Sequence, residues 1–175
     1  MSKRRLLSVP DLIAVYVSFD DARKCLALWR KESERISTTQ GSSHNHQAWA
    51  GGYEEHIKQV LNIAIDYYES LNNFRPLTFS LSDALVVLFI HDLEKPWKKD
   101  HSETFKDKKN RALFRVDKAA AYDITLTEEQ QNALKYVEGE GDDYRSDRRV
   151  MNEMAAFCHI CDVTSARIWH DWRSQ

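Results

Sequence analysis

The sequence contains few of the residues that interrupt helices, with three prolines and five glycines among 175 residues. Helix-period patterns of apolar residues dominate instead, and no run approaches the roughly 20 apolar residues that span a bilayer. Cysteine is also scarce, and the three that occur cannot all pair with one another. These absences predict a soluble, cytoplasmic protein without a membrane partner and without a disulfide framework. Cys158 and Cys161 have C-x-x-C spacing, but a lone pair of this kind is more typical of core packing than of a zinc site.

A strong excess of one charge is absent too, since the net charge is −2. This balance excludes a global basic field, so nucleic acid is not an expected partner. Charge is nevertheless uneven along the chain. Residues 95–118 carry nine Lys or Arg against four acids, whereas residues 138–147 carry five acids, including Glu138. The basic segment suits either a polyanionic substrate or a solvated helix face, and the acidic segment is typical of surface.

The spacing of apolar residues predicts an all-α fold of about five to seven helices in a single domain, residues 1–175. One long helix or two short ones are expected in 10–36, followed by a loop over 37–50. A further helix is expected from Tyr53 to about Leu71. Further helices are expected from a cap at Ser80 or Ser82 to Pro96, around 109–123, from a Thr127–Gln130 capping box to about Val137, and near 146–170.

Four ionisable residues fall on the apolar faces of three of these helices. His56 lies four residues before Val60, and His91 and Asp162 follow apolar residues at helical intervals. Asp92 projects about 100° from His91 on a continuous helix, so both side chains can reach one ion between them. Two imidazoles and two carboxylates form a mixed nitrogen and oxygen set. Such a set suits divalent Mn, Fe, Co, Ni or Zn.

The ordered set His56, His91-Asp92 and Asp162 resembles the HD-domain metal-dependent phosphohydrolases. Two segments carry the resemblance further: "HNHQAWAGGYEEH" before and including His56, and "HDLEK" from His91. The resemblance covers about residues 44–169 and implies an HD-type helical bundle, with 1–43 as an N-terminal helical segment and loop. It also implies hydrolysis of phosphate esters or anhydrides, very often of nucleotides.

The resemblance further implies one divalent metal ion, and it leaves room for Mg at a substrate phosphate. It also implies that a water molecule activated by the ion attacks phosphorus. Asp92 and Lys95 are then catalytic candidates. Lys95 lies one helical turn beyond His91, where its ammonium would also hold a phosphate as a point charge. Other candidate substrate contacts are His46, Trp49, Arg111 and Arg115.

The chain departs from the fuller HD patterns in two ways. Few histidines lie between Asp92 and Asp162, which favours one metal ion over two. Some nucleotidases of the family carry a catalytic Glu three residues after the Asp of the doublet, where this chain has Lys95. Glu94 would point about 200° from Asp92 on a continuing helix, away from the ion. The general acid or base stays open between His46, Glu138 and the water on the ion.

Several functions are compatible with this pattern. A dNTP or NTP triphosphohydrolase and a 5′-nucleotidase are the two favoured forms, and a phosphodiesterase on cyclic or oligonucleotide diesters is a third. A non-catalytic HD-fold module that binds a nucleotide or a protein, with a structural metal, is the alternative from another class. The simplest alternative is a helical interaction module that binds no metal. The sequence is compatible with a homo-oligomer but indicates no symmetry.

Overall fold

The structure is a computed structural model that describes residues 6–173; residues 1–5 and 174–175 of the predicted domain lie outside the described part. Within residues 6–173 the chain is all-α, as predicted, and has no strand. It forms eight α-helices: α1 (Val9–Tyr16), α2 (Phe19–Lys31), α3 (Ser33–Thr38), α4 (Gly52–Phe74), α5 (Leu81–Ile90), α6 (Lys108–Ala120), α7 (Glu128–Tyr136) and α8 (Glu153–Val163).

The N-terminal segment forms three helices where one or two were expected. Val17 is extended between α1 and α2, and the Ser18 hydroxyl accepts a hydrogen bond from the Asp21 amide and so caps α2. Glu32 separates α2 from α3 with φ −102° and ψ 8°. Helix α3 extends to Thr38, slightly into the predicted loop.

Glu32 also ties this N-terminal part to the end of α6. Its Oε1 accepts hydrogen bonds from Lys118 Nζ at 2.7 Å and from Tyr122 Oη at 2.6 Å. Burial alone would raise the pKa of Glu32, but the two hydrogen bonds hold it below the ordinary value of 4.5. We call this set of contacts between Glu32, Lys118 and Tyr122 the Glu32 bridge.

Helix α5 lies at the centre of the bundle, and all its residues from Ala84 to Ile90 are buried. It packs against α4, α7 and α8, and Ser80 provides its N-cap. The prediction that α5 continues to Pro96 is wrong. The helix ends at Ile90, and the Leu93 and Lys95 amides donate to carbonyls three residues back. A short 3₁₀ helix, Lys95–Trp97, follows.

The second half of the chain follows the predicted pattern more closely up to α7. Asp107 caps α6, which corresponds to the helix predicted around 109–123, and the capping box of Thr127 and Gln130 begins α7 as expected. The last helix is shorter than predicted. It begins after Asn152, whose side chain accepts a hydrogen bond from the Ala155 amide, and passes at Thr164–Ile168 into a π-helix.

The three cysteines pack in the core and are free thiols. Burial, aided by Asp21, raises the pKa of the Cys25 thiol to about 12, and burial likewise raises the pKa values of Cys158 and Cys161. The packing interpretation of the C-x-x-C pair therefore agrees with the structure. Among the described residues, no helix is long and apolar enough to cross a membrane.

Candidate metal centre

His56, His91 and Asp92 lie close enough together to hold one ion, and Asp162 lies against the two histidines, so the four predicted ligands form one cluster although they come from three parts of the chain. His56 lies in the second turn of α4, His91 and Asp92 follow α5, and Asp162 is near the end of α8. The Nε2 atoms of His56 and His91 are 3.3 Å apart. Asp162 Oδ1 lies 3.1 Å and 3.5 Å from these two nitrogens. Asp92 Oδ2 lies 3.5 Å and 3.4 Å from them.

These separations fit a shared cation. Metal bonds of 2.0–2.2 Å at tetrahedral or octahedral angles place neighbouring ligand atoms about 2.8–3.6 Å apart. The ligand atoms of the buried residues His56, His91 and Asp92 all lie within 4.8 Å of one another. This group could therefore hold a metal ion, and its donors do not by themselves select one transition metal.

Both imidazoles direct Nε2 toward this point because Nδ1 is engaged elsewhere. His91 Nδ1 lies 2.7 Å from the Leu88 carbonyl, which can only accept, so Nδ1 carries the proton. His56 Nδ1 lies 3.0 Å from the hydroxyl of Ser165. Metal-binding histidines usually have a second nitrogen held in this way, since the partner fixes the ring orientation and the tautomer.

The electrostatics of the cluster favour a cation. Burial would raise the pKa of Asp92, but Lys95 and His91 hold it well below its usual range. Burial would also raise the pKa of Asp162, but the hydrogen bonds and charges of the two imidazoles lower it. Burial lowers the pKa of His56. For His91 burial acts in the same direction, yet the neighbouring Asp92 and Asp162 raise its pKa to about 10. The cluster thus holds two ionised carboxylates and, without metal, stores a proton on His91.

Lys95 lies closer to Asp92 than the helical extrapolation placed it. Its Nζ is 2.5 Å from Asp92 Oδ2, as an i,i+3 ion pair. The cause is the end of α5 at Ile90, because side chains three residues apart eclipse in the 3₁₀-type turns that follow. Lys95 therefore supplies a positive charge beside a predicted metal ligand.

A cavity of about 680 Å³ opens at the cluster, with Asp92 and Asp162 in its wall. This volume lies within the range typical of small-molecule sites. Cationic side chains outnumber the four carboxylates among its lining residues: they are Lys95, Lys98, Lys106, Arg111, Arg115 and Arg167. The predicted substrate contacts Lys95, Arg111 and His46 all line this cavity.

His46 lies beside the metal cluster, with its ring centroid 5.3 Å from that of His56. Burial, and then the positive charges of Lys95 and His56, lower the pKa of His46 to about 4. The imidazole is therefore neutral at pH 7, with an unprotonated nitrogen able to accept a hydrogen bond or a proton. Trp49, the other predicted contact in this loop, is not among the described residues that line the cavity. Its ring packs under the guanidinium of Arg173 at 4.6 Å.

Arg115 and the two glutamates, Glu94 and Glu138, form a separate ionic cluster in the cavity wall. Arg115 donates to Glu94 at 2.6 Å and 2.9 Å and to Glu138 at 2.7 Å. Arg115 and Glu94 are only 5% and 4% exposed. Glu94 points to Arg115, and Glu138, a candidate for proton transfer, binds the same guanidinium. The donors that Arg115 was expected to offer to phosphate are thus largely occupied by carboxylates.

Three buried polar residues near His56 escaped the sequence reasoning. Gln47, Gln59 and Ser165 are each 0% exposed and connect by hydrogen bonds to one another. For Gln59 the sequence offered one indication, since a glutamine next to Val60 on the apolar side of α4 is an unusual core residue. Ser165 had none, since it lies in the π-helix that was predicted as regular α-helix.

Comparison with protein-family models, with curated proteins and with solved structures finds no match for this chain.

Proposed function

We propose that this protein is a metal-dependent phosphohydrolase of the HD type that acts on nucleotides. The observation that supports this most is the cluster of His56, His91, Asp92 and Asp162, two of which, Asp92 and Asp162, lie in the wall of a cationic cavity. Ligands for a cation and side chains for an anion occur together, which is what an enzyme needs to bind a phosphate beside a metal ion.

The four converging residues would hold one divalent ion, with nitrogen and oxygen donors that suit Mn, Fe, Co, Ni or Zn. Such an ion supplies a water that is nucleophilic at neutral pH and compensates charge on a phosphoryl group. The protein's own contribution is to fix the ligands and to keep both carboxylates ionised, as Lys95 and the imidazoles do here.

The remaining cavity residues bind and orient the substrate. Lys98, Lys106, Arg111 and Arg167 surround the cavity beyond Lys95, which favours a substrate with more than one phosphate. Catalysis of phosphoryl transfer consists mainly of positioning and charge stabilisation, which these side chains provide. Neutral His46 accepts a hydrogen bond or a proton next to the reacting group.

The test is a hydrolysis assay on mono-, di- and triphosphate nucleotides with Mn, Co, Ni, Zn or Mg, measuring phosphate, pyrophosphate and tripolyphosphate. Asp92→Asn and Asp162→Asn keep the side-chain shape and remove a charge, so we expect a loss of more than about 100-fold. Asp117→Asn, an exposed acid on α6, is the matched control.

Two outcomes would reject the proposal. One is a wild-type protein that hydrolyses no nucleotide with any of the metals, which would favour the non-catalytic binding module. The other is wild-type activity in Asp92→Asn, which would mean that the cluster does not take part. Released tripolyphosphate, pyrophosphate or phosphate distinguishes triphosphohydrolase from nucleotidase activity.

A further inference from the structure

We infer that Ser165, Gln59 and Gln47 form a hydrogen-bond relay that sets the tautomer of His56 and ties the loop carrying His46 to the metal centre. The three are positioning residues, since none of them reaches the predicted ion. The metal part of this inference rests on the proposed function, whereas the tautomer part concerns the protein alone.

The His56 imidazole is held at both nitrogens by the C-terminal end of the bundle. Asp162 Oδ1 lies 3.1 Å from Nε2, and Ser165 Oγ lies 3.0 Å from Nδ1. Asp162 is in α8, and Ser165 is in the π-helix that follows directly. Single π-turns of this kind are frequent at functional sites. One continuous segment therefore fixes the ring from two sides.

The direction of the hydrogen bonds follows from the amide of Gln59. Its Nε2 donates to the Trp172 carbonyl at 2.9 Å and to Glu55 Oε1 at 3.2 Å, so its Oε1 faces the relay. That Oε1 accepts from Gln47 Nε2 at 2.9 Å and from the Ser165 hydroxyl at 3.0 Å. The Ser165 proton is thus used, and its lone pair accepts the proton of His56 Nδ1.

This direction leaves His56 Nε2 unprotonated and aimed at the cluster, which is the form that binds a metal. His56, Gln59, Gln47 and Ser165 are all 0% exposed, so water does not readily replace a lost partner. In the alternative tautomer Nε2–H would donate to the ionised Asp162, but the Ser165 proton would turn to Nδ1, and Gln59 Oε1 would lose that donor. Ser165 and Gln59 therefore favour the Nδ1–H tautomer of His56 before any metal binds, and Asp162 opposes them.

Gln47 extends the relay into the loop that lines the cavity. Its backbone has φ +41° and donates to the His170 carbonyl at 2.7 Å, while its own carbonyl accepts from the Gly41 amide at 3.0 Å. A Cβ added to Gly52 would lie 1.8 Å from that carbonyl oxygen, so α4 begins in direct contact with this backbone. The neighbouring residue is His46, whose position beside His56 is thereby fixed.

The test compares Ser165→Ala with Thr164→Ala. Thr164 belongs to the same π-helix, but its hydroxyl donates to the Ile160 carbonyl and is outside the relay. Nitrogen-15 NMR of the metal-free protein reports the His56 tautomer, and a chelator competition with Zn²⁺ reports the affinity. We expect the wild type and Thr164→Ala to show the same fraction of the Nδ1–H form. Ser165→Ala should shift the imidazole toward the Nε2–H form and bind Zn²⁺ about 10–100-fold more weakly.

A fraction of the Nδ1–H form in Ser165→Ala equal to that of the wild type, together with an unchanged Zn²⁺ affinity, would overturn the relay. If Ser165→Ala does not fold, Ser165→Cys keeps a side chain of similar size with a much weaker acceptor and should show the same shift toward the Nε2–H form. A wild type that binds no Zn²⁺ or other divalent metal would instead count against the proposed function, and the NMR measurement would still decide the relay.

Discussion

Removal of the Arg115 guanidinium should destabilise the fold far more than it affects phosphate binding. Arg115→Met retains an apolar stem of similar length and removes the charge. Glu94, 4% exposed, would then keep a buried carboxylate without its two hydrogen bonds at 2.6 Å and 2.9 Å. Breaking a buried ion pair from one side costs about 3–5 kcal/mol. The contact with Glu138 adds little, because that carboxylate is 38% exposed and screened by water.

Equilibrium unfolding in urea measures this loss directly. The matched variant Arg115→Met/Glu94→Gln also removes the buried negative charge, so it should recover a large part of the free energy of unfolding. A double-mutant cycle with Glu94→Gln then gives the coupling between the two residues. A loss of less than about 1 kcal/mol in the free energy of unfolding of Arg115→Met would contradict a stabilising role of the ion pair. A double variant less stable than Arg115→Met would contradict it as well. Unchanged stability with a raised KM would restore Arg115 as a phosphate contact.

Three single contacts, those of Lys95, Gly52 and Glu32, have measurable effects on metal binding or stability. Lys95→Met should bind a divalent metal at least about fivefold more tightly in calorimetry, because the ammonium no longer competes for Asp92, while nucleotide hydrolysis falls. Gly52→Ala should lose more than about 3 kcal/mol in thermal unfolding, since its Cβ would meet the Gln47 carbonyl at 1.8 Å. Glu32→Gln should lose up to about 1 kcal/mol at pH 7. That difference should disappear in acid, because the lowered pKa of Glu32 stabilises the fold above 4.5 and the gain is lost as pH falls through the folded-state pKa.

Each of these variants has a matched control. Lys98→Met removes a cavity cation that is not in contact with Asp92, so tighter metal binding in both variants would mean that general charge is responsible. Gly141→Ala places a Cβ in open space at φ +53° and should cost only about 1–2 kcal/mol. Glu34→Gln changes an exposed acid on α3, and a pH dependence equal to that of Glu32→Gln would reject the Glu32 bridge.

The clustering of four inward-facing ionisable residues was predictable because it depends on helical periodicity, whereas the geometry of the cluster was not. His56 and Asp162 lie well inside regular helices, and the apolar residues around them indicate which way they face. His91 and Asp92 follow the last residue of α5, and the regular 100° step stops applying there. Sequence reasoning therefore predicted that Lys95 shares a face with His91, while the tighter turns place it on Asp92.

Contacts between distant segments were the least predictable part of the site. Arg115 was assigned to phosphate from charge alone, because nothing local indicates that Glu94, 21 residues earlier, lies buried against it. Ser165 is 109 residues from His56, and a single hydroxyl in a short π-helix has no sequence pattern. Polar partners in a core are chosen by tertiary packing, so periodicity shows which side chains point inward but not which of them meet.

The two ionic clusters in the cavity wall have different consequences for a substrate. Arg115 is matched by Glu94 and Glu138, so this cluster adds little net field to the cavity. The metal cluster has two carboxylates against Lys95 and His91, and a divalent ion would make it positive. The cationic residues beyond these clusters, Lys98, Lys106, Arg111 and Arg167, then face the cavity without being the partners of either cluster. Under the proposed function, an anion in the cavity would be attracted from the side of the ion and from this outer set, so we expect an extended phosphate chain to bind better than a single phosphate.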